Sequence, residues 1–231
     1  MRTIGERLSI SLRSGCGVAL AVVTVCGVSS LVAESSQQTV TLTAVADCLP
    51  EFDPSKPCRL AALRADYQVG FDGLCKRMAA GERPTEIRLP LPENARIDRV
   101  LYGEVQGDLL LIYEISDGES GWGSVVRLEP RSLVVKWHVN LPGFNLSRGA
   151  VEGARLYQAG FGFVGAIDLM RGSFVWKHSG LYDQLRQSFN AFQPPELVGR
   201  EVIFREEPVS QTTNPVRVIR VNKVTGKMTV Q

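Results

Sequence analysis

Gly153-Ala-Arg-Leu-Tyr-Gln-Ala-Gly-Phe-Gly-Phe-Val-Gly-Ala-Ile-Asp168-Leu-Met-Arg-Gly172-Ser-Phe-Val-Trp176 contains two apolar strand-like runs, a turn opened by Asp168 and closed by Gly172, and a third run ending on Trp176. That layout describes part of one antiparallel sheet. It recurs once before and once after. Gly107, Gly153 and Gly199 stand 46 residues apart (153 − 107 and 199 − 153). Two residues before each glycine is Val105, Val151 or Leu197, and three after is Leu110, Leu156 or Val202, all apolar.

A second set marks the other half of each unit. Glu129, Asp168 and Asn222 follow Leu128, Ile167 and Val221; four residues on come Leu133, Gly172 and Gly226, and eight on Trp137, Trp176 and Val230. An Asp or Asn leaving a strand can bond the backbone two residues ahead, and a glycine four later supplies the positive φ of a tight return. The tryptophan is expected as an apolar anchor between neighbouring sheets. Between the two sets the interval varies, 22, 15 and 23 residues (129 − 107, 168 − 153, 222 − 199), as tolerated loop insertions would make it. A period of this length with four strands per unit is the signature of propeller blades.

At these residues the chain resembles the repeat of the pyrroloquinoline quinone dehydrogenases and their quinone-free relatives, whose pattern is Ala-x-Asp-x-x-Thr-Gly-x-x-x-Trp. Ala166-Ile-Asp168-Leu-Met-Arg-Gly172-Ser-Phe-Val-Trp176 matches it but for Arg171. The third unit keeps Thr225-Gly226, and the first keeps Trp137. The resemblance covers residues 100–231 and implies a mainly β fold of about three four-stranded antiparallel propeller-type blades. Closed propellers need at least about four blades, so three leave the ring incomplete. It implies a binding or scaffold module, since relatives without quinone include a periplasmic lipoprotein that assists outer-membrane protein assembly. No quinone or metal ligands carry over, so no cofactor is assigned. The alternative is a quinoprotein-related enzyme or enzyme accessory.

Outside the repeats, residues 58–80 place Leu60, Leu63, Tyr67 and Leu74 among charged residues at spacings that suit two short helices interrupted at Gly70-Phe-Asp-Gly73. The expected organisation is therefore 1–33 a signal peptide or anchor, 34–84 a polar lead and short helical cysteine-bearing region, and 85–231 the β repeat domain. In the first part, Arg2, Arg7 and Arg13 precede an apolar run that ends in small residues near Ala33, the layout of a secretory signal. An uncut anchor is the alternative, because Gly15 to Ala33 is 19 residues without a charge, close to the roughly 20 that span a bilayer. Either way the body is exported, periplasmic or extracellular.

Export permits disulfides. Cys48, Cys58 and Cys75 remain beyond residue 33. Cys48–Cys58 is the favoured bridge and Cys58–Cys75 the alternative. Beyond residue 33 the charges balance, 23 basic (26 − 3) against 23 acidic (24 − 1), which gives no reason to expect nucleic acid or an anionic membrane as partner. Membrane contact is expected only through an uncut N-terminal segment. A protein partner or self-association is expected instead, with Phe144, Arg148, Tyr182 and Phe189 as the contact group, because these lie in the two segments between units. His138 and His178 have no third ligand or nucleophile at a useful spacing.

Overall fold

The computed structural model describes residues 46–48, 56–181, 191–208 and 216–231, with side chains from residue 56 onward. In chain order the strands are β1 (Ala46–Cys48), β2 (Cys58–Ala62), β3 (Ala65–Val69), β4 (Leu74–Met78) and β5 (Thr85–Arg88). Next come β6 (Arg96–Val105), β7 (Asp108–Ser116), β8 (Gly121–Leu128) and β9 (Val135–Leu141). The last eight are β10 (Ala150–Glu152), β11 (Arg155–Gly160), β12 (Phe163–Asp168), β13 (Ser173–Ser179), β14 (Glu196–Val198), β15 (Glu201–Arg205), β16 (Val218–Asn222) and β17 (Met228–Val230).

Each run of four from β2 onward is one antiparallel sheet in sequential order, and β1 adds a fifth strand beside β6. The fold class is therefore mainly β with propeller-type blades, but the described residues form four blades rather than three. The fourth comes from residues expected to be helical. Residues 58–69 alternate: Cys58, Leu60, Ala62, Ala65, Tyr67 and Val69 are buried, while Arg59, Ala61 and Asp66 are exposed. That is the period of a strand with one face in the core. The sheet runs on through Thr85–Arg88, so strands of one blade lie on both sides of residue 84.

Burial between the blades is pairwise. Leu60, Tyr67, Leu111 and Leu128 belong to the core between the first and second blades. Leu101, Ile112, Leu156 and Phe163 belong to that between the second and third, and Tyr157, Val164, Phe204 and Val221 to that between the third and fourth. Among the described residues no buried apolar cluster joins the fourth blade back to the first. The outer faces of the first and fourth blades are polar. On the last blade Arg205 pairs with Glu196 at 2.9 Å and Arg220 with Glu201 at 3.3 Å, around Ile203. On the first, Lys76 pairs with Glu86 at 3.2 Å beside Arg59 and Gln68. Polar outer faces of this kind cap a repeat array.

The strand register corrects one alignment made on glycines. The first hairpin of the second blade turns at Gln106-Gly107, both at positive φ (50° and 78°). The third and fourth blades turn at Gly153-Ala154 and Gly199-Arg200, where only the glycine is at positive φ. Gly107 is thus the second turn residue and Gly153 and Gly199 the first. The true counterpart of Leu156 and Val202 is Leu109, paired with Leu128 as they are with Ile167 and Val221. A slip of one residue changes the face on which every side chain stands.

Candidate functional site: the loop end of the array

In a four-strand meander the first and third turns lie at one end, and the second turn and the link to the next blade at the other. At the first end every turn is short: 63–64, 106–107, 153–154 and 199–200 within the first hairpins, and 79–84, 129–134, 169–172 and 223–227 within the last. Asx-type bonding closes three of them. Asp168 Oδ1 accepts from the amides of Met170 and Arg171, and Asn222 Oδ1 from those of Val224 and Thr225. Glu129 Oε2 accepts from those of Arg131 and Ser132, and these bonds, led by the Ser132 hydroxyl, hold its carboxyl below the usual range.

At the opposite end the connections vary in length. The second turns are 70–73, 117–120, 161–162 and 206–217, and the links are 89–95, 142–149 and 180–195. Insertions confined to one end of a repeat array mark its variable, binding-prone face.

Two of the expected contact residues, Phe144 and Arg148, lie here on the link 142–149, and both are exposed. Tyr182 and Phe189 lie outside the described residues. Phe144 is 38% exposed and its ring sits 5.2 Å from that of Phe161, centroid to centroid. Phe161 belongs to the hairpin tip Gly160-Phe-Gly162 of the third blade and was not expected in the site. Gly143 allows the approach: a Cβ there would lie 2.5 Å from the Phe161 carbonyl oxygen.

The link that carries Phe144 is pinned along its length. The Phe161 amide donates to the Phe144 carbonyl at 2.7 Å, and the Ser147 amide to that of Ala159 at 2.9 Å. Leu146 is held through both its backbone groups: its amide donates to Glu114 Oε1 at 2.6 Å, and its carbonyl accepts from Arg99 Nη1 at 2.8 Å. Gln158, fully buried, donates from Nε2 to the Ser147 carbonyl at 2.6 Å. An aromatic pair, exposed at Phe144 and half-buried at Phe161, is thereby presented on a rigid support, which lowers the ordering cost of a contact.

A short acidic hairpin tip stands nearby. Asp117 Oδ1 accepts from the amides of Ser120 and Glu119, bonds that keep its carboxyl below the ordinary range. That oxygen is thus occupied by its own turn. Among the described residues no three His, Cys, Asp or Glu side chains come together as a metal site.

The structure does bring one histidine to a serine. His138 Nε2 lies 3.2 Å from Ser124 Oγ, which in turn donates to Asn140 Oδ1 at 3.2 Å. Ser124 is fully buried, and burial lowers the His138 pKa. This is packing chemistry inside a sheet, closed to any substrate. His178 instead contacts the Gly226 carbonyl oxygen at 2.8 Å in the next blade.

The cysteines separate into two cases. Cys58 pairs with Val69 across one ladder and Val69 with Cys75 across the next, so β3 lies between the two cysteines. Two ladder spacings come to roughly 10 Å, beyond the Cα separation a disulfide can close. The alternative bridge Cys58–Cys75 is thereby excluded. Cys75 is fully buried, and burial pushes its thiol up to about 12. The favoured bridge, Cys48–Cys58, depends on the Cys48 side chain, which lies outside the described residues.

No protein-family model and no curated protein sequence matches the chain. Solved structures similar to it include a WD40 domain and a quinohemoprotein alcohol dehydrogenase. The WD40 domain of Neurospora crassa Pan2 is 13% identical with a TM-score of 0.44, over 84% of this chain and 56% of that one. A quinohemoprotein alcohol dehydrogenase from Pseudomonas putida HK5 is 12% identical with a TM-score of 0.46, over 85% of this chain and 36% of the enzyme. BamB from Moraxella catarrhalis is 16% identical with a TM-score of 0.32, over 82% and 67%. The chain therefore spans little more than half of the first of these and about a third of the second.

Proposed function

We propose that the chain is an exported, non-enzymatic binding or assembly module that takes a protein partner at its loop end. The observation that carries this reading is the one-sided placement of every variable connection, with the Phe144–Phe161 pair held there on a pinned link. Aromatic side chains on rigid supports are the usual anchors of protein interfaces. The balanced charge of the body agrees with a protein partner better than with nucleic acid. Self-association by stacking of blades is disfavoured, since both terminal faces carry ion pairs.

The reading is tested with a photo-crosslinking residue placed at position 144 of the full chain in its native host. The expected result is a discrete protein adduct that disappears when Phe161 is replaced by Ala, while the same probe at exposed Val175, on the outer edge of the third blade, gives none. Equal trapping at both positions, or none at 144, overturns it.

A further inference from the structure

The balanced charge of the body hides a separation between its two ends. At the turn end the acidic groups other than Asp66, which is exposed beside the first turn, are engaged within the protein. Glu129 and Asp168 hold turn amides, Glu82 and Glu152 are paired with Arg77 and Lys223, and Glu104 accepts from the Leu63 amide. Asp108, buried, holds both Arg127 and Lys136. The basic residues of the turns are differently placed. Arg64, Arg83, Arg131, Arg200 and Lys227 are exposed and have no ion pair among the described residues, and Arg171, 82% exposed at its side chain, reaches Asp168 only at 3.9 Å.

Between these cations stand aliphatic side chains that the fold leaves outside: Val224 is 69% exposed, Val134 58% and Met170 47%. All three sit on turns at this end. Opposite, at the loop end, Glu93, Asp117, Glu119 and Glu207 are exposed along with Arg148, and two further arginines are neutralised, Arg88 by Asp72 and Arg96 by Asp98.

The course of β1 ties the turn end to the N-terminal apolar stretch. β6 runs from the loop end to the turn at Gln106-Gly107, and β1 pairs with it antiparallel, Ala46 opposite Tyr102 and Cys48 opposite Val100. β1 therefore runs away from the turn end, and Ala46 is its residue nearest that end. Residues 34–45, 12 in number (45 − 34 + 1), separate Ala46 from the uncharged run 15–33. At about 3.3–3.6 Å per residue they reach at most roughly 40 Å.

We infer that the turn end is a membrane-facing surface that docks on an anionic bilayer, with its arginines and lysine at the headgroups and Val134, Met170 and Val224 entering the interface. Basic residues beside projecting apolar side chains are the composition that binds anionic lipid surfaces. With the run 15–33 in a bilayer, the short length of residues 34–45 would keep Ala46 within their reach of it and raise the effective concentration of the turn end there. The loop end then faces away from the membrane. The inference is independent of the partner proposed for that end, because the two surfaces share no residue.

The test is amine footprinting of the full chain, residues 1–33 included, reconstituted in vesicles. Acetylation of Lys227 on the fourth-blade turn is compared with that of exposed Lys177 on β13, in zwitterionic phosphatidylcholine and in mixtures with anionic phosphatidylglycerol. The expected result is that anionic lipid slows labelling of Lys227 by about five-fold or more and leaves Lys177 unchanged, with the protection lost at high salt. The triple variant Arg83→Gln, Arg131→Gln, Arg171→Gln abolishes the protection while its urea midpoint stays that of the parent. Equal labelling in the two lipids, equal protection of Lys177, or protection retained in the triple variant overturns the inference. So does protection of Lys227 by a soluble acidic polypeptide but not by anionic vesicles, which would assign the surface to an acidic protein.

Discussion

The indole Nε1 of Trp137 donates to the carbonyl oxygen of Leu169 at 3.2 Å, joining the last strand of the second blade to the turn of the third. The joint repeats. Trp176 Nε1 donates to the carbonyl of Lys223 at 3.2 Å, and the Tyr67 hydroxyl to that of Pro130 at 3.3 Å. Leu169, Lys223 and Pro130 each follow the residue that opens the turn, Asp168, Asn222 and Glu129. The glycine four residues after the opener thus has two duties. It takes positive φ, 64° at Gly172, and it leaves room for the indole of the blade before it, against which an added Cβ would collide.

Gly172→Ala therefore meets backbone strain and a displaced tryptophan together. The expected loss is about 2–4 kcal/mol, the sum of a left-handed L-residue and an overpacked core contact. Trp137→Phe keeps most of the apolar contact and gives up the indole bond, leaving the Leu169 carbonyl with its bond from Arg127 Nη1 at 2.9 Å. It should cost only about 1 kcal/mol. Urea unfolding of the two variants checks the order; a Gly172→Ala midpoint equal to the parent's would show that Trp137 does not dock there.

Arg64→Gly is expected to stabilise the protein by about 1 kcal/mol, because Leu63 and Arg64 turn the first hairpin at φ 50° and 59° with no glycine or asparagine between them. Arg64→Val should lose a similar amount, and a pair of denaturation curves decides the sign. The same turn explains why the first blade was not legible in the sequence. Its hairpin lacks turn residues, Ala79 stands where the other blades place Glu129, Asp168 or Asn222, and Leu60, Leu63 and Tyr67 fall at helical spacings although Leu63 lies in the turn. The later turns were legible because Asx bonding is local, set by residues two to four apart. Within the candidate site, Phe144 and Arg148 could be chosen from one segment, whereas Phe161 reaches Phe144 only through the packing of two blades.

His138 should make the protein less stable in mild acid. Burial lowers its pKa in the folded chain, so as pH falls through about 6.5 the unfolded chain binds a proton that the folded one resists. Stability is then lost down to the folded-state pKa and no further from this group. The urea midpoint of the parent should fall between pH 7.5 and 5.5, and that of His138→Gln should fall less. Equal slopes for the two proteins would remove His138 as the cause.

The polar terminal faces predict that the array is held apart from its own copies by a few ion pairs. On the last blade Ile203 is already buried at 4% exposure, flanked by Glu196, Glu201, Arg205 and Arg220, so the face needs little change to become a stacking surface. Surface ion pairs of this kind contribute only about 0–1 kcal/mol each to folding. Their larger effect is on association, because stacking a second blade would bury four charges away from water. Glu201→Val with Arg220→Val should leave the folded monomer nearly as stable as the parent and convert it to a concentration-dependent dimer, measured by sedimentation velocity. If the double variant stays monomeric at the highest soluble concentration, the charges are not what terminates the array.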